Sequence, residues 1–311
     1  MAIAAKGPDT ADVVAQHLRG RRTDIKGILF QVALLFALLV SLLILLVLIV
    51  DVVRGGLGVF QERGGEFLQG RLTIVSPSTA GVGQGIVGSL LLLVFVVLMA
   101  FPVGVAAAIY LEEYASDTRF NRFIDVNIRN LAGVPSIVYG LLGLVIFVQV
   151  LAPLTGGKTV MAGGLTLAVL VLPIVIITSM EALRAVPDSI REAGFGVGAT
   201  RWEVIRSHVL PAAAPGILTG TVLSISRAIG ETAPLLVVGA TTGLLATGGR
   251  GFFESLREGY TALPVVVFRW TSLPNEDFRA LTSAAIIVLL LMTLSANAIA
   301  IILRNRYERK W

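Results

Sequence analysis

Five stretches of 22 residues or more carry no Asp, Glu, Lys or Arg: Gly27–Val50, Leu72–Leu111, Asn130–Gly157, Thr159–Met180 and Ala280–Leu303. A helix rising 1.5 Å per residue needs about 20 residues to cross a hydrocarbon core of about 30 Å. Backbone N–H and C=O groups find no water there, so a run of this kind spans as a helix. The start of the second run (Ser76, Pro77, Ser78, Thr79, Gly81, Gly83, Gly85) reads as loop, which leaves a span near Ile86–Leu111. A sixth apolar run, from Pro211 to about Ala240, is broken by Arg227 and Glu231. The pattern predicts an all-α polytopic membrane protein with six transmembrane helices.

Composition agrees. Of 311 residues, 55% are hydrophobic and 14% charged, with mean hydropathy +0.86. Soluble domains carry about 25% charged residues and could not hide this much apolar surface. There is no cysteine, so disulfides, thiolate metal sites and cysteine nucleophiles are excluded. His17 and His208 lie far apart, without a metal-ligand pattern around either.

The basic residues sort by side. With a cytoplasmic N-terminus, segments 1–27, 112–129, 181–206 and 304–311 hold 16 Lys and Arg. The opposite segments 51–71, 153–158 and 250–279 hold 8. This two-to-one bias predicts both termini inside and explains the net charge of +5 without nucleic acid. The chain divides into a polar tail (1–27), a first retained span (28–50), a membrane core (85–303) containing a cytoplasmic loop (184–210), and a short tail (304–311). The apolar "ALPVVVFRW" of the outer segment 241–279 reads as lying at the membrane surface.

The loop before the fifth run reads "VPDSIREAGFGVGATRWEVIRSHVLP". Pro187 and Asp188 open a short helix, with Asp188 as its cap. Gly194, Gly196 and Gly198 give a turn, and Thr200 caps a second helix. Phe195, Val197, Trp202 and Ile205 are apolar anchors for a partner, since such residues left exposed are a liability.

Arg227 and Glu231, four apart, read in two ways. They form a structural ion pair within one helix, or they mark an anion path. Each costs roughly 2.5–3.5 kcal/mol at mid-membrane, so they must face protein or water. The base-before-acid order is the weaker one for a helical pair. Arg matches oxyanions bidentately, and Gly230 and Pro234 loosen the helix beside Glu231. On the second reading Glu231 tethers Arg227 until an anion competes for it.

The loop resembles the EAA loop of ABC importer permeases. Glu192, Ala193, Gly198, Leu210 and Pro211 match in register, Gly194 replaces the second Ala, and His208 stands where an aliphatic is usual. "SISRAIGETAPLL" (Ser224–Leu236) and "NLAGVPSIVYGLLGL" (Asn130–Leu144) resemble spans of the Pst-type, phosphate-specific permeases. The end of the chain is similar to the PstA rather than the PstC type. The resemblance implies a type I ABC importer permease fold and a phosphate importer. Its other parts would be a second, PstC-like permease, a dimeric PstB-like ATPase and an extracytoplasmic PstS-like binding protein. It implies Arg227 and Glu231 in the anion path, with Arg184, Ser136 and Tyr139 as further candidates. It implies ATPase coupling through Glu192, Ala193, Gly198, Trp202, Leu210 and Pro211. The chain has no P-loop, so ATP and Mg belong to the partner ATPase and this chain binds no cofactor. A permease for sulfate, molybdate or phosphonate is the alternative. A channel would not need the loop, and an intramembrane enzyme would want a second titratable group in the spans.

Overall fold

The computed structural model describes residues 25–240 and 256–307. Most of the 1–27 and 304–311 tails' basic clusters, His17 and part of segment 241–279 lie outside the described residues. The chain separates into two compact units, Met1–Asp51 and Val52–Trp311. In the first, the described part is one apolar helix, exposed along its whole length. That helix, α1 (Ile25–Gln69), runs past the predicted span, and its backbone departs from helical geometry at Arg63.

The second unit is built from helices only, among the described residues. Besides single turns at Pro77–Thr79 and Ala152–Thr155 they are α2 (Gly83–Ile109), α3 (Arg119–Ala132), α4 (Ser136–Gly143), α5 (Val160–Arg184), α6 (Asp188–Gly196), α7 (Arg201–Val204), α8 (Leu210–Gly230), α9 (Ala233–Val238), α10 (Leu263–Thr271) and α11 (Asp277–Tyr307). Wider π-helical turns extend α2 through Tyr110–Tyr114 and α4 through Leu144–Val150, and join α7 to α8 through Ile205–Val209. Five described helices are long and apolar enough to cross a membrane. They become six when α3 and the α4 helix, bent by 103°, count as one span.

α5 is the hub. Two-thirds (67%) of its most apolar stretch is buried, against 33% in α2 and 6% in α11. In lipid, helices associate through close packing and not through hydrophobic transfer, so small residues at the crossings matter. Gly104 of α2 packs on Val175 of α5, Gly143 at the end of α4 on Thr166, and Gly220 of α8 on Thr178. Thr159 caps α5 by accepting from the Ala162 amide, and Thr118 caps α3 by accepting from that of Asn121.

A second cluster gathers Phe67, Trp270 and Phe278 around Leu263, Val266 and Leu281. The Trp270 indole donates to the Thr73 carbonyl, and Arg63 donates to the carbonyls of Pro77 and Ala80. The segment read as a membrane-surface run is therefore turned inward. Leu263, Pro264, Val265, Val266 and Trp270 of α10 are all buried, and the Leu263 amide is held by Ser89. An apolar run reads the same whether lipid or protein covers it.

Candidate functional site

α8 lies antiparallel to α5, with Gly216 against Ala182 and Gly220 against Thr178. This pairing sets the depth of Arg227. It stands about 20 Å along the helix from the level of Arg184, at 1.5 Å per residue, well inside the hydrocarbon band. α8 ends at Gly230, and Glu231 follows with an extended backbone (φ −74°, ψ 121°). The chain restarts as α9, with Pro234 in its first turn, where a missing N–H costs nothing. Glu231 is thus the cap of a broken helix and not a member of it. The ion pair forms all the same: Arg227 Nε to Glu231 Oε1 is 3.2 Å.

The two ends of the pair differ. The Glu231 side chain is 14% exposed and Arg227 is 42% exposed. Arg227 shares its open face with Thr219, Leu223 and Gly230, at helical spacing. Next to it, Ser226 donates to Asn297 and ties α8 to α11.

The bend between α3 and α4 meets the same break. Gly140 packs on Pro234, and Val238 clusters with Leu144 and Val148, so α4 and α9 run parallel. Ser136, one turn before Gly140, comes level with Gly230 and Glu231. Both short helices begin here, with their positive dipole ends at the depth of the ion pair. Tyr139 is buried, and its hydroxyl donates to the Leu131 carbonyl at 2.8 Å, across the bend. Arg227 and Glu231 therefore pair, Ser136 and Tyr139 stand on the short helix that packs against the same break, and Arg184 is apart from them. Arg184 closes the other end of α5, 2.6 Å from Glu112 and 3.7 Å from Glu181.

The loop is a helical hairpin. α6 begins after Pro187, and Asp188 is its first residue, accepting from Arg191 instead of capping. Among the three turn glycines only Gly198 has a positive φ (85°). Gly194 packs on Val204 within the hairpin. Thr200 and Glu203 form a reciprocal capping box. Phe195, Val197 and Trp202 are 48%, 84% and 52% exposed, while Ile205 is buried. His208 is exposed, because Val204, Ile205 and Val209 take the inward positions. Glu192, Ala193 and Pro211 are exposed.

Three arginines fasten this hairpin to the end of α2. Arg184 reaches Glu112, Arg191 reaches Glu113 at 2.8 Å, and the Arg201 guanidinium lies 5.6 Å from the centre of the Tyr114 ring. Arg191 also donates to the carbonyls of Leu183 and Val186. Its hydrogen bonds to Glu113 hold its pKa above the ordinary arginine value. The sequence reading missed Glu112, Glu113, Tyr114 and Arg191. Their signal was "LEEY" at the end of a charge-free run and "IRE" in the loop, with nothing local to pair them.

Residues 82–310 match the family model described as binding-protein-dependent transport system inner membrane component. The chain belongs to that family. Among its relatives is the phosphate transport system permease protein PstA of Yersinia pestis, 36% identical over 230 residues, covering 72% of this chain and 73% of that one. The PstA of Xylella fastidiosa (strain Temecula1) is 31% identical over 229 residues, covering 73% and 76%. In fold, the chain is similar to a MetNI methionine ABC transporter in an inward-facing conformation. That likeness has a TM-score of 0.58 at 16% identity, covering 73% of this chain and 98% of that one. The exposed hairpin and the broken α8 thus sit on one polypeptide of a family of multi-pass inner-membrane components. The chain is a transport subunit and not an enzyme.

Proposed function

We propose that the chain is one of two permease subunits of an ATP-driven phosphate importer of the Pst type. Both termini and the 184–210 hairpin face the cytoplasm, in keeping with the bias of Lys and Arg. A dimeric, PstB-like ATPase that binds ATP and Mg seats the hairpin through Phe195, Val197 and Trp202, with Glu192, Ala193, Gly198, Leu210 and Pro211 setting its shape. A PstC-like permease completes the path, and a PstS-like binding protein delivers phosphate from outside.

The observation that carries the reading is the half-open Arg227 at mid-membrane. A guanidinium there costs roughly 2.5–3.5 kcal/mol against lipid. It therefore faces a second subunit or water, and the second permease supplies both. Arg227 binds the oxyanion through paired N–H donors. Glu231 holds Arg227 between passages and, by like charge, keeps the anion from staying. Ser136 offers a hydroxyl at the same depth. Tyr139 holds the bend. Arg184, in the hairpin attachment, meets the anion at the cytoplasmic exit.

The test is uptake of labelled phosphate in cells that lack the chain and are complemented by it. Sulfate, molybdate and phosphonate serve as competitors. Phosphate uptake resistant to those competitors supports the reading, and uptake abolished by one of them reassigns the oxyanion.

A further inference from the structure

Most of the inside segment 112–129, between the second and third spans, folds as the two-faced helix α3. Successive residues of a helix turn by about 100°, which places Phe120, Phe123 and Leu131 together on one side, with Ile124 and Ile128 beside them. Ile128 packs into the cluster of Met180 and Leu183, where α5 ends. Among the described residues Ile124 is half-buried and the rest of that side is open: Phe120 is 69% exposed and Phe123 64%, and Leu131 and the neighbouring Val126 are also exposed. Arg129, on the opposite side, bonds Asp125 and reaches Glu181. Arg119 borders the open apolar arc and has no ion pair among the described residues; Arg122 lies on the opposite side with Arg129, in an exposed pair with Asp117.

Position completes the picture. The helix that follows α3 runs back along α5, with Gly143 against Thr166 and Val148 clustered with Ala162, and α3 is bent by 103° from it, so α3 lies across the direction of the spans. It packs on the last turns of α5, a helix whose 25 residues give about 37 Å and so end at the edges of a core of about 30 Å. Crosswise orientation, depth at the edge of the core, an open aromatic side with an arginine at its border and a charged opposite side are the attributes of a helix lying in a membrane interface.

We propose that α3 is a lipid-binding helix on the hairpin side of the membrane. Phe120 and Phe123 insert at the boundary between acyl chains and headgroups, and Arg119 binds the anionic phosphate of a headgroup. The helix leads through the Gly133–Pro135 bend directly to Ser136 and Tyr139. The state of that leaflet is thereby linked to the bend beside Arg227. The inference rests on the membrane family alone and holds whatever anion is carried.

The absence of cysteine makes the test direct. Single substitutions Phe120→Cys, Phe123→Cys and Arg122→Cys are spin-labelled in the full chain. The chain is purified with its partner subunits and placed in nanodiscs of phosphatidylethanolamine and phosphatidylglycerol. Collision with oxygen reports lipid, and collision with a water-soluble nickel chelate reports water. The expected result is a several-fold oxygen preference at 120 and 123, with the opposite preference at 122. Replacing phosphatidylglycerol by phosphatidylcholine should weaken the preference at 120, and should not do so when Arg119→Gln is also present. Nickel preference at 120 and 123 would place this face in water and overturn the proposal. So would immobile labels shielded from both reagents, which would mean that a protein subunit covers the face. Indifference to lipid charge would remove Arg119 from it.

Discussion

Arg191, in the first helix of the hairpin, lies 2.8 Å from Glu113 at the end of α2, and their side chains are only 18% and 8% exposed. With bonds to the Leu183 and Val186 carbonyls, this one guanidinium joins three elements: α2, the end of α5 and α6. Removing one partner strands the other, and a broken buried pair costs about 3–5 kcal/mol. Arg191→Ala and Glu113→Ala should each lower the melting temperature of the purified chain. They should also reduce uptake per ATP hydrolysed, because the hairpin then moves without the spans. The exchange Glu113→Arg with Arg191→Glu should recover part of both losses. Unchanged melting in both single variants would show that the pair holds nothing together.

Arg227 gives the second prediction. A hydrogen bond to a charged group is worth about 1.5–3 kcal/mol. Arg227→Gln should therefore lower phosphate uptake by roughly 10- to 100-fold at normal protein levels. Arg227→Lys keeps the charge and loses the fork, and it should recover only part of the rate. Glu231→Gln frees Arg227 from its tether at 3.2 Å. It should lower both the half-saturating phosphate concentration and the maximal rate, as expected when an anion binds well and leaves slowly. Wild-type kinetics in Arg227→Gln would remove this residue from the path.

The hairpin turn separates two glycines that look alike in sequence. Gly198 has φ +85°, where an L-residue pays roughly 1–2 kcal/mol, and Gly196 closes α6 in ordinary space with no neighbour within 4 Å of an added Cβ. Gly198→Ala should destabilise the chain by about that amount, and Gly198→Trp should abolish copurification of the ATPase. Gly196→Ala should leave copurification unchanged. A tolerant Gly198→Trp would show that the turn does not shape the docking surface.

The long elements were legible because charge is expensive in lipid, and its absence marks Gly27–Val50 or Thr159–Met180 without any knowledge of neighbours. The break at Glu231 was half legible: Gly230 and Pro234 announce weakness, but an i,i+4 spacing also fits an unbroken helix. Thr200 was readable as a cap because capping is a four-residue affair. What could not be read were pairings between distant positions. Glu112 and Glu113 meet arginines 72 and 78 residues away. Ile205 and Trp202 look equally apolar in sequence, and only the packing of Val204 and Val209 shows that Ile205 turns inward. The likeness of lipid-facing and protein-facing apolar runs likewise hid the inward turn of α10.

The depth of Arg227 depends on a contact with no chemistry of its own. Gly220 of α8 lies so close to the Thr178 side chain that any Cβ would overlap it. Thr178 Oγ1 already donates to the Ile174 carbonyl at 2.9 Å, so the side chain is held toward its own helix and cannot swing away freely. Overpacking of this kind costs about 1–3 kcal/mol. Gly220→Ala should lower the melting temperature and, by pushing α8 off α5, shift Arg227 and slow uptake. Thr178→Ala alone opens a little space and should be mild, and the double variant should return toward the parent in both measurements. Gly58 is the internal control: it is exposed, meets nothing within 4 Å, and its conversion to Ala should change neither reading. Additive losses in the double variant would mean that the two residues do not touch, and the helix register that places Arg227 at mid-membrane would then be wrong.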